Sequence, residues 1–412
     1  MFGVVVWGMG EDWLDRLWPV LVAAFASQVI GGLLWSVYAP FLRGQGFSGT
    51  LYGVIGSVSV FSSVAGSLVG GWVSDRYGSR GVIIAGVVSW SVGAAVLSLG
   101  GLYPALASSV LSGFGGGAVW VAVAALVSRT APDAELDKAF SYMNAANLFG
   151  GALGSFMGWL PIIYSRATGA PLLESYRLFL AVGAAVLLAV TLPLYARVRE
   201  PRAACAVGVD GPRRRVSVPW RTIYKLFLVE LVIGFGAALS IHNIDYYFAL
   251  KYGVTSAELG TTFGVQEAAM GVLTLYMPRF SRRVGGPLRT YLVLTGSSVP
   301  LLVAMTLVDS FPVAAALYIV RTILMNVASP LYQAFQMSLI PWELRGRGSS
   351  LLGLAWQVPV GLGRSVGGAL LDIDVELPLR VTALLYTAAL SMLAAFFPDH
   401  LRKRSTAATH RG

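Results

Sequence analysis

The sequence predicts an all-α polytopic membrane protein, with twelve transmembrane helices arranged as two pseudo-symmetric six-helix bundles. Three observations predict this fold: apolar runs of membrane-spanning length, a bias of positive charge to one side of those runs, and an internal repeat. Of the 412 residues, 56% are hydrophobic and only 12% are charged. Soluble domains contain about 25% charged residues, so long stretches of this chain must face lipid.

Twelve apolar segments are long enough to cross a hydrocarbon core, which takes about 20 residues of α-helix. The runs are continuous rather than alternating, and this pattern favours helices. The first six segments lie at 18–42, 50–74, 81–100, 103–128, 139–163 and 173–196. The second six lie at 224–249, 257–280, 288–308, 311–338, 348–371 and 378–398.

A polar gap that is rich in arginine divides the two sets of segments. We therefore predict an N-terminal bundle at 1–196, a basic cytoplasmic linker at 197–222, a C-terminal bundle at 223–400 and a cytoplasmic tail at 401–412. The single cysteine, Cys205, lies in the linker and cannot form an internal disulfide.

The positive charges predict the orientation of the chain. If both termini are cytoplasmic, the cytoplasmic segments hold 23 of the 30 Lys and Arg residues. The opposite loops hold only Arg43, Arg166, Arg177, Lys251 and Arg380. Cytoplasmic loops carry an excess of positive charge, so we expect a multi-pass plasma-membrane protein with both termini in the cytoplasm.

The two halves repeat each other in the same direction. Residues 36–53 match 243–260 at a constant offset of 207, and 138–158 match 347–367 at an offset of 209. Parallel repeats of six helices are an architecture of secondary transporters.

One loop carries a motif of five defined residues at fixed spacing. After the second predicted helix, the chain reads Gly71-Trp-Val-Ser-Asp75-Arg76-Tyr-Gly78-Ser-Arg80. This resembles the signature G-x-x-x-D-R-x-G-x-R of the major facilitator superfamily, and the resemblance covers essentially the whole chain. It implies a secondary transporter that works by alternating access, with the motif as a cytoplasmic gate. Asp75 would meet a helix N-terminus or an arginine where the halves converge; alternatively, these charges only follow the positive-inside rule.

Two departures from the family pattern bear on the type of transport. Many proton-coupled members carry an arginine before a Gly-rich run in helix 4, whereas Ser109 stands there in this chain. The helix 5 motif of drug–proton antiporters ends in Gly-Pro-x-x-Gly-Gly, but this chain has Gly154-Ser-Phe-Met-Gly158-Trp159. Three alternatives therefore stay open: a proton-coupled transporter of a small organic solute, a multidrug or metabolite efflux antiporter, and a facilitative uniporter.

The predicted helices of the second half contain charged residues. A charge at the bilayer centre costs about 2.5–3.5 kcal/mol on insertion scales, which makes Asp245, Glu267, Arg321 and Arg364 functional candidates. In one interpretation, an arginine binds an anionic or hydroxyl-bearing solute and Glu267 or Asp245 carries a proton. In the other, acids and bases form permanent structural pairs. Glu230 lies near the start of helix 7 and is expected to snorkel toward the interface.

Polar and aromatic residues on the helices that line the central cavity in the family complete the candidate site. His242 is a candidate proton relay, and Asn326 with Pro330 would loosen helix 10. The candidate cavity residues are Gln28, Trp35, Tyr38, Asn144, Asn147, Asn243, Arg321, Asn326, Gln357 and Arg364.

Composition also predicts the partners. We expect a monomer in the lipid bilayer that binds a small-molecule substrate and protons, without cofactor, metal or nucleic acid. A lipid enzyme would need clustered His, Asp or Glu at a membrane face, and a receptor has no obvious use for paired halves. The sequence has no G-x-x-x-x-G-K-[ST] loop, so we expect no ATP hydrolysis and no enzymatic activity.

Overall fold

The structure is a computed structural model that describes residues 12–132, 135–198, 219–274, 276–341 and 344–402. Most of the predicted linker at 197–222 and of the tail at 401–412 lies outside these residues.

Each bundle contains six membrane crossings, which confirms the predicted fold. The first bundle consists of α1 (Asp12–Gly44), α2 (Gly49–Tyr77), α3 (Ser79–Leu97), α4 (Leu102–Thr130), α5 (Leu136–Phe156) with α6 (Leu160–Thr168), and α7 (Leu172–Arg197). The second consists of α8 (Trp220–Ser240) with α9 (Ile244–Tyr252), α10 (Ser256–Thr274) with α11 (Met277–Val284), α12 (Pro287–Thr306), α13 (Phe311–Asn326) with α14 (Ser329–Ser338), α15 (Arg345–Ile373) and α16 (Leu377–Phe396), followed by a short α17 (Pro398–Arg402).

Ten of the twelve crossings in the described chain are long and apolar enough to span a membrane by composition alone. The other two are α10 and α15. These two helices contain Glu267 and Arg364 together with many Gly, Ser and Thr residues. They are also the helices through which the second bundle contacts α5 and α2 of the first.

Three predicted crossings are interrupted rather than continuous. Short 3₁₀ turns at Met157–Trp159 and Ile241–Asn243 divide two of them. The crossing formed by α13 and α14 is interrupted directly after Asn326, where the sequence predicted a weak point, and Pro330 lies in the first turn of α14. Asn326 Nδ2 donates to the Thr322 carbonyl at 3.0 Å, which satisfies a backbone acceptor next to the interruption.

The bundles are joined near one membrane face. We call the face at which α7 ends and α8 begins the linker side, and the opposite face the far side. The larger cluster of buried apolar side chains includes residues of both bundles, among them Tyr52 and Phe248. The smaller cluster lies only in the first bundle, toward the linker side, and includes Leu17 and Leu126.

Glycines allow the helices within each bundle to approach closely, as small residues do in membrane proteins generally. A Cβ atom added at Gly66 of α2 would collide with the backbone of Phe114 in α4, and one added at Gly367 of α15 would collide with the Leu239 carbonyl. Gly116 of α4, by contrast, faces open space.

We expect Gly66→Ala to destabilise the protein by about 1–3 kcal/mol, because the added methyl group overpacks the α2–α4 contact. The matched variant Gly116→Ala should be neutral or stabilising by up to about 1 kcal/mol through helix propensity. Thermal unfolding in detergent measures both variants. Equal melting temperatures for the two would contradict the close α2–α4 contact.

Candidate functional site

Helices α2 and α15 bring the two bundles to backbone contact on the far side. A Cβ atom added at Gly53 of α2 would collide with the Arg364 carbonyl of α15. Further toward the membrane centre, the hydroxyl groups of Ser57 and Ser365 are 2.6 Å apart, and the Ser365 N–H donates to Ser57 Oγ at 3.0 Å. Only small residues permit so short a distance between helices.

Arg364 is buried in this contact, and 6% of its surface is exposed. Its guanidinium group fits against Gly56 of the first bundle, where any side chain would collide with it. Arg364 Nε donates to Asn243 Oδ1 at 3.3 Å, and Cζ lies 5.9 Å from the ring centroid of Tyr52. Nη2 is buried and has no hydrogen-bond partner among the described residues.

Asp245 lies on the other side of the Tyr52 hydroxyl. Tyr52 donates to Asp245 Oδ2 at 2.5 Å, and the Tyr246 N–H donates to Oδ1 at 2.8 Å. The sequence placed Arg364 and Asp245 at matching depth, but they form no ion pair within 4 Å. A tyrosine of the first bundle is thus the partner of the carboxylate.

A row of aromatic rings continues from this point across the bundle interface. The centroids of Trp35 and Tyr38 are 6.4 Å apart, those of Tyr38 and Tyr52 are 5.7 Å apart, and those of Tyr52 and Tyr246 are 4.5 Å apart. The two predicted aromatic residues of α1 therefore contact the interface through Tyr52, which the sequence analysis did not single out.

Helices α5 and α10 form the second contact between the bundles. Ser256 Oγ donates to the Gly158 carbonyl at 2.6 Å, and Trp159 Nε1 donates to Thr261 Oγ1 at 2.9 Å. Nearer the linker side, the carboxyl group of Glu267 lies against Gly151 of α5. Its Oε2 atom is buried and has no partner among the described residues.

Arg321 is buried inside the second bundle and does not reach the first. Its Nη2 donates to Met325 Sδ at 3.1 Å, and Cζ lies 5.4 Å from the Tyr386 ring centroid. His242 is half-buried in the 3₁₀ turn between α8 and α9, with its ring 6.4 Å from that of Trp356. Its Nδ1 has no hydrogen-bond partner among the described residues.

The remaining polar candidates of the first bundle do not come together with these groups. Gln28 packs beside Gly31 and Gly150, where α1 contacts α5. Asn144 is exposed and Asn147 is half-buried on α5.

A cavity of about 450 Å³ lies within the second bundle, between α8, α12, α13, α14 and α15. Its lining includes two predicted residues, Asn326 and Gln357. The full lining is Glu230, Ile233, Tyr291, Met325, Asn326, Ser329, Tyr332, Gln333, Gln336, Met337, Ser349, Leu352, Gly353, Trp356 and Gln357.

Glu230 is the functional candidate that sequence reasoning missed. It was expected to snorkel, but it points into the cavity, where its Oε1 accepts a short hydrogen bond of 2.5 Å from Gln336 Nε2. The helical pattern held the signal: Leu226, Val229 and Ile233 form the buried face of α8, and Glu230 lies beside that face. Its distance from the helix end was the wrong criterion.

The gate motif lies on the linker side, at the end of α2. Asp75 pairs with Arg129 of α4 at 3.0 Å, so its partner in this structure is an arginine of the same bundle. Gly78 has a φ of 97°, a conformation that favours glycine, and forms the turn between α2 and α3. Arg76 lies over the rings of Trp72 and Tyr77, and Arg80 is exposed. Gly71 lies next to Val121.

On the far side, a carboxylate of the second bundle caps a helix of the first. Asp372 accepts hydrogen bonds from the Gly49 N–H at 2.7 Å, the Thr50 N–H at 2.8 Å and Thr50 Oγ1 at 2.6 Å. Beside it, the Tyr246 hydroxyl donates to the Phe47 carbonyl. We call these residues the far-side clasp. A carboxylate at a helix N-terminus satisfies free N–H groups and favours the helix dipole.

The hydrogen bonds between the bundles given above lie toward the far side, and the Ser57–Ser365 pair is the deepest of them. That pair is eight residues, or about 12 Å, from the far-side end of α2. Two similar bundles joined near one face, with charged side chains in their contact, define a secondary transporter that works by alternating access. The chain belongs to the Major Facilitator Superfamily, whose profile matches residues 20–364.

Relatives and solved structures agree with this assignment. The chain is 25% identical over 385 residues to multidrug resistance protein 1 of Bacillus subtilis, covering 90% of this chain and 94% of that protein. It is 22% identical over 243 residues to the quinolone resistance protein NorA of Staphylococcus aureus, covering 57% and 59%.

Two solved structures show the same fold. An inward-facing bacterial homologue of the human lysosomal transporter Spinster has a TM-score of 0.73 at 14% identity, covering 95% of this chain and 99% of that one. A D-xylose–proton symporter has a TM-score of 0.71 at 14% identity, covering 94% and 98%.

We expect Asp372→Ala to raise the ratio of far-side-open to far-side-closed protein by about ten-fold. The substitution removes three charge-assisted hydrogen bonds, each weakened by its exposure to solvent. Nitroxide labels on Thr168→Cys and Asp309→Cys, in a Cys205→Ser background, report the distance between the bundles on the far side by double electron–electron resonance.

Asp374→Ala is the matched control, since Asp374 accepts from Arg380 and from the Glu376 N–H, both in its own bundle. Its distance distribution should equal that of the parent protein. The clasp would be refuted if Asp372→Ala and Asp374→Ala gave the same distribution.

Proposed function

We propose that the chain is a proton-coupled transporter of a small organic solute in the plasma membrane. The observation that carries this proposal is the contact between the bundles. Glu267 lies there against a glycine of the opposite bundle, and no described residue bonds to its Oε2. Rocking of the bundles would change the surroundings of this carboxyl group, and such a group is suited to take up and release a proton.

In this proposal Arg364 belongs to the far-side contact between α2 and α15, which we call the seal, rather than to the solute site. It is buried between Gly56, Tyr52 and Asn243 on the far side of the interface. When the bundles separate there, the guanidinium group loses its cover from the first bundle and becomes hydrated. Burial of this cation in the closed state removes its water and costs free energy. Arg364 therefore favours the far-side-closed state only as long as Tyr52 and Asn243 replace that water.

The direction that we propose is export. Two relatives are named for multidrug resistance and for quinolone resistance. The linker side is the cytoplasmic side in this proposal, as the 23 positive residues on that side suggest. The solute then enters from the cytoplasm, and no covalent change of the solute is involved. We propose a monomer, because the contact that holds Glu267 and Arg364 is formed between the two bundles of a single chain.

We expect Glu267→Gln to abolish accumulation driven by a pH gradient and to retain exchange of solute between the two sides, since the amide cannot carry the proton. Proteoliposomes and a panel of organic cations, anions and neutral solutes measure both activities. Glu258→Gln is the control, because Glu258 is an exposed carboxylate in the first turn of the same helix. Gradient-driven accumulation by Glu267→Gln at the parental rate would show that the coupling role is wrong.

The single cysteine tests the orientation. We expect a membrane-impermeant maleimide to label Cys205 in inside-out vesicles and not in intact cells, because the linker is cytoplasmic in this proposal. The converse control is Thr168→Cys in the Cys205→Ser background, since Thr168 ends α6 on the far side. Labelling of Cys205 from outside intact cells would reverse the proposed topology.

A further inference from the structure

The cavity of the second bundle is separate from the contact between the bundles. All of its described lining residues belong to the second bundle. Tyr291 reaches it from α12, which forms no hydrogen bond with the first bundle among the described residues. The proposed proton carrier Glu267 and the seal residue Arg364 are absent from the lining. The function of this cavity therefore has to be inferred from its own residues.

The charge of the lining has one sign. Glu230 is acidic, and none of the other fourteen lining residues is acidic or basic. The hydrogen-bond partner of Glu230 is the neutral amide of Gln336, and no ion pair of Glu230 is found among the described residues. A carboxyl group that is removed from bulk water is either protonated or paired with a counter-charge, and the described protein side chains supply no counter-charge to Glu230.

The aromatic side chains of the lining also favour a cation. Tyr291 and Tyr332 stack with centroids 4.1 Å apart and an interplanar angle of 8°. Trp356 forms another part of the wall, and Met325 and Met337 add polarisable apolar surface. The faces of aromatic rings attract cations, and flat apolar groups stack on them.

Neutral polar groups complete the lining. Asn326, Gln333 and Gln357 offer amide oxygens that accept hydrogen bonds from an ammonium group. The Tyr332 hydroxyl is buried and has no partner among the described residues, so it is free to bind a polar atom of a ligand. A volume of about 450 Å³ falls within the range of small-molecule sites, about 300–1,000 Å³.

We propose that this cavity binds a solute with one protonated amine and a flat aromatic part, and that Glu230 is its counter-ion. The proposal rests on the proposed transport function, because this solute would be the one carried. The cation lies at Glu230 and the amides, and the aromatic part packs between Trp356 and the stacked tyrosines. Arg364 lies against Tyr52, outside the lining. The guanidinium group of Arg321 lies against Tyr386 and behind Met325, whose Sδ accepts from Nη2 at 3.1 Å, so the ammonium group is placed at Glu230 rather than at Met325.

Three probes of one shape and different charge test the site. These are 1-naphthylmethylammonium, the neutral 1-naphthylmethanol and the anionic 1-naphthylacetate, titrated calorimetrically into the full-length protein in detergent. We expect the ammonium probe to bind more tightly than the alcohol by about ten-fold or more, as for a hydrogen bond to a charged group, and the acetate to bind most weakly.

Glu230→Gln should lower affinity for the ammonium probe by about ten-fold and leave affinity for the alcohol unchanged. Glu258→Gln, which removes an exposed carboxylate outside the cavity, should leave both affinities unchanged. Equal binding of the three probes, or parental ammonium affinity in Glu230→Gln, would overturn the proposal.

A second variant keeps the test valid if Glu230→Gln does not fold. Gln357 is exposed to the open part of the lining, so Gln357→Lys adds a positive charge without filling a packed core. It should weaken ammonium binding and strengthen acetate binding, and no change in this ratio would again overturn the proposal. If the probes fail but another solute accumulates under a pH gradient, the solute class is wrong and the transport function stands.

Discussion

The backbone contact of α2 with α15, and of α5 with α10, is the constraint on which the rest of the structure depends. Because the helices approach this closely, glycine and serine lie at the points of backbone contact, such as Gly53, Ser57 and Gly260. Two charged side chains of the second bundle, Arg364 and Glu267, also lie in the seam, and each lies against a glycine of the first bundle, Gly56 or Gly151. A side chain at either glycine would separate the helices or displace the charge, so charge and glycine form one unit across the interface.

The seam also explains why the two faces of the protein differ. On the far side, Asp372 caps α2 and Tyr246 binds the Phe47 carbonyl, so hydrogen bonds reinforce the close packing. On the linker side, Asp75 bonds to Arg129 of its own bundle. The second hydrophobic cluster likewise stays within the first bundle there. A carboxylate thus forms bonds at each end of α2. Asp372 on the far side joins the two bundles, whereas Asp75 on the linker side bonds within the first bundle.

Sequence reasoning recovered the features that depend on local pattern. Twelve crossings, the two halves and the interruption after Asn326 follow from apolar length, repeat offset and helix-breaking residues. It did not find the roles of Glu230, Asp372 or Tyr52, and it placed Arg364 opposite Asp245 without the tyrosine between them. These features depend on how each helix is rotated and which neighbour it meets. Lipid-facing and protein-facing sides are both apolar, so the pattern that reveals rotation in a soluble helix is weak here.

Two carboxyl groups of the second bundle, those of Glu267 and Glu230, differ in whether their surroundings change when the bundles rock. Glu267 lies at a surface whose opposite wall belongs to the other bundle, so its environment must change when the bundles rock. Glu230 lies between helices of one bundle, and its partner Gln336 moves with it. A proton carrier benefits from the first situation and a solute site from the second, because a rigid bundle preserves the geometry of recognition while the bundle moves. In the proposed mechanism α13 connects the two sites, because it packs against α10, the helix of Glu267, and its residues Met325 and Asn326 line the cavity.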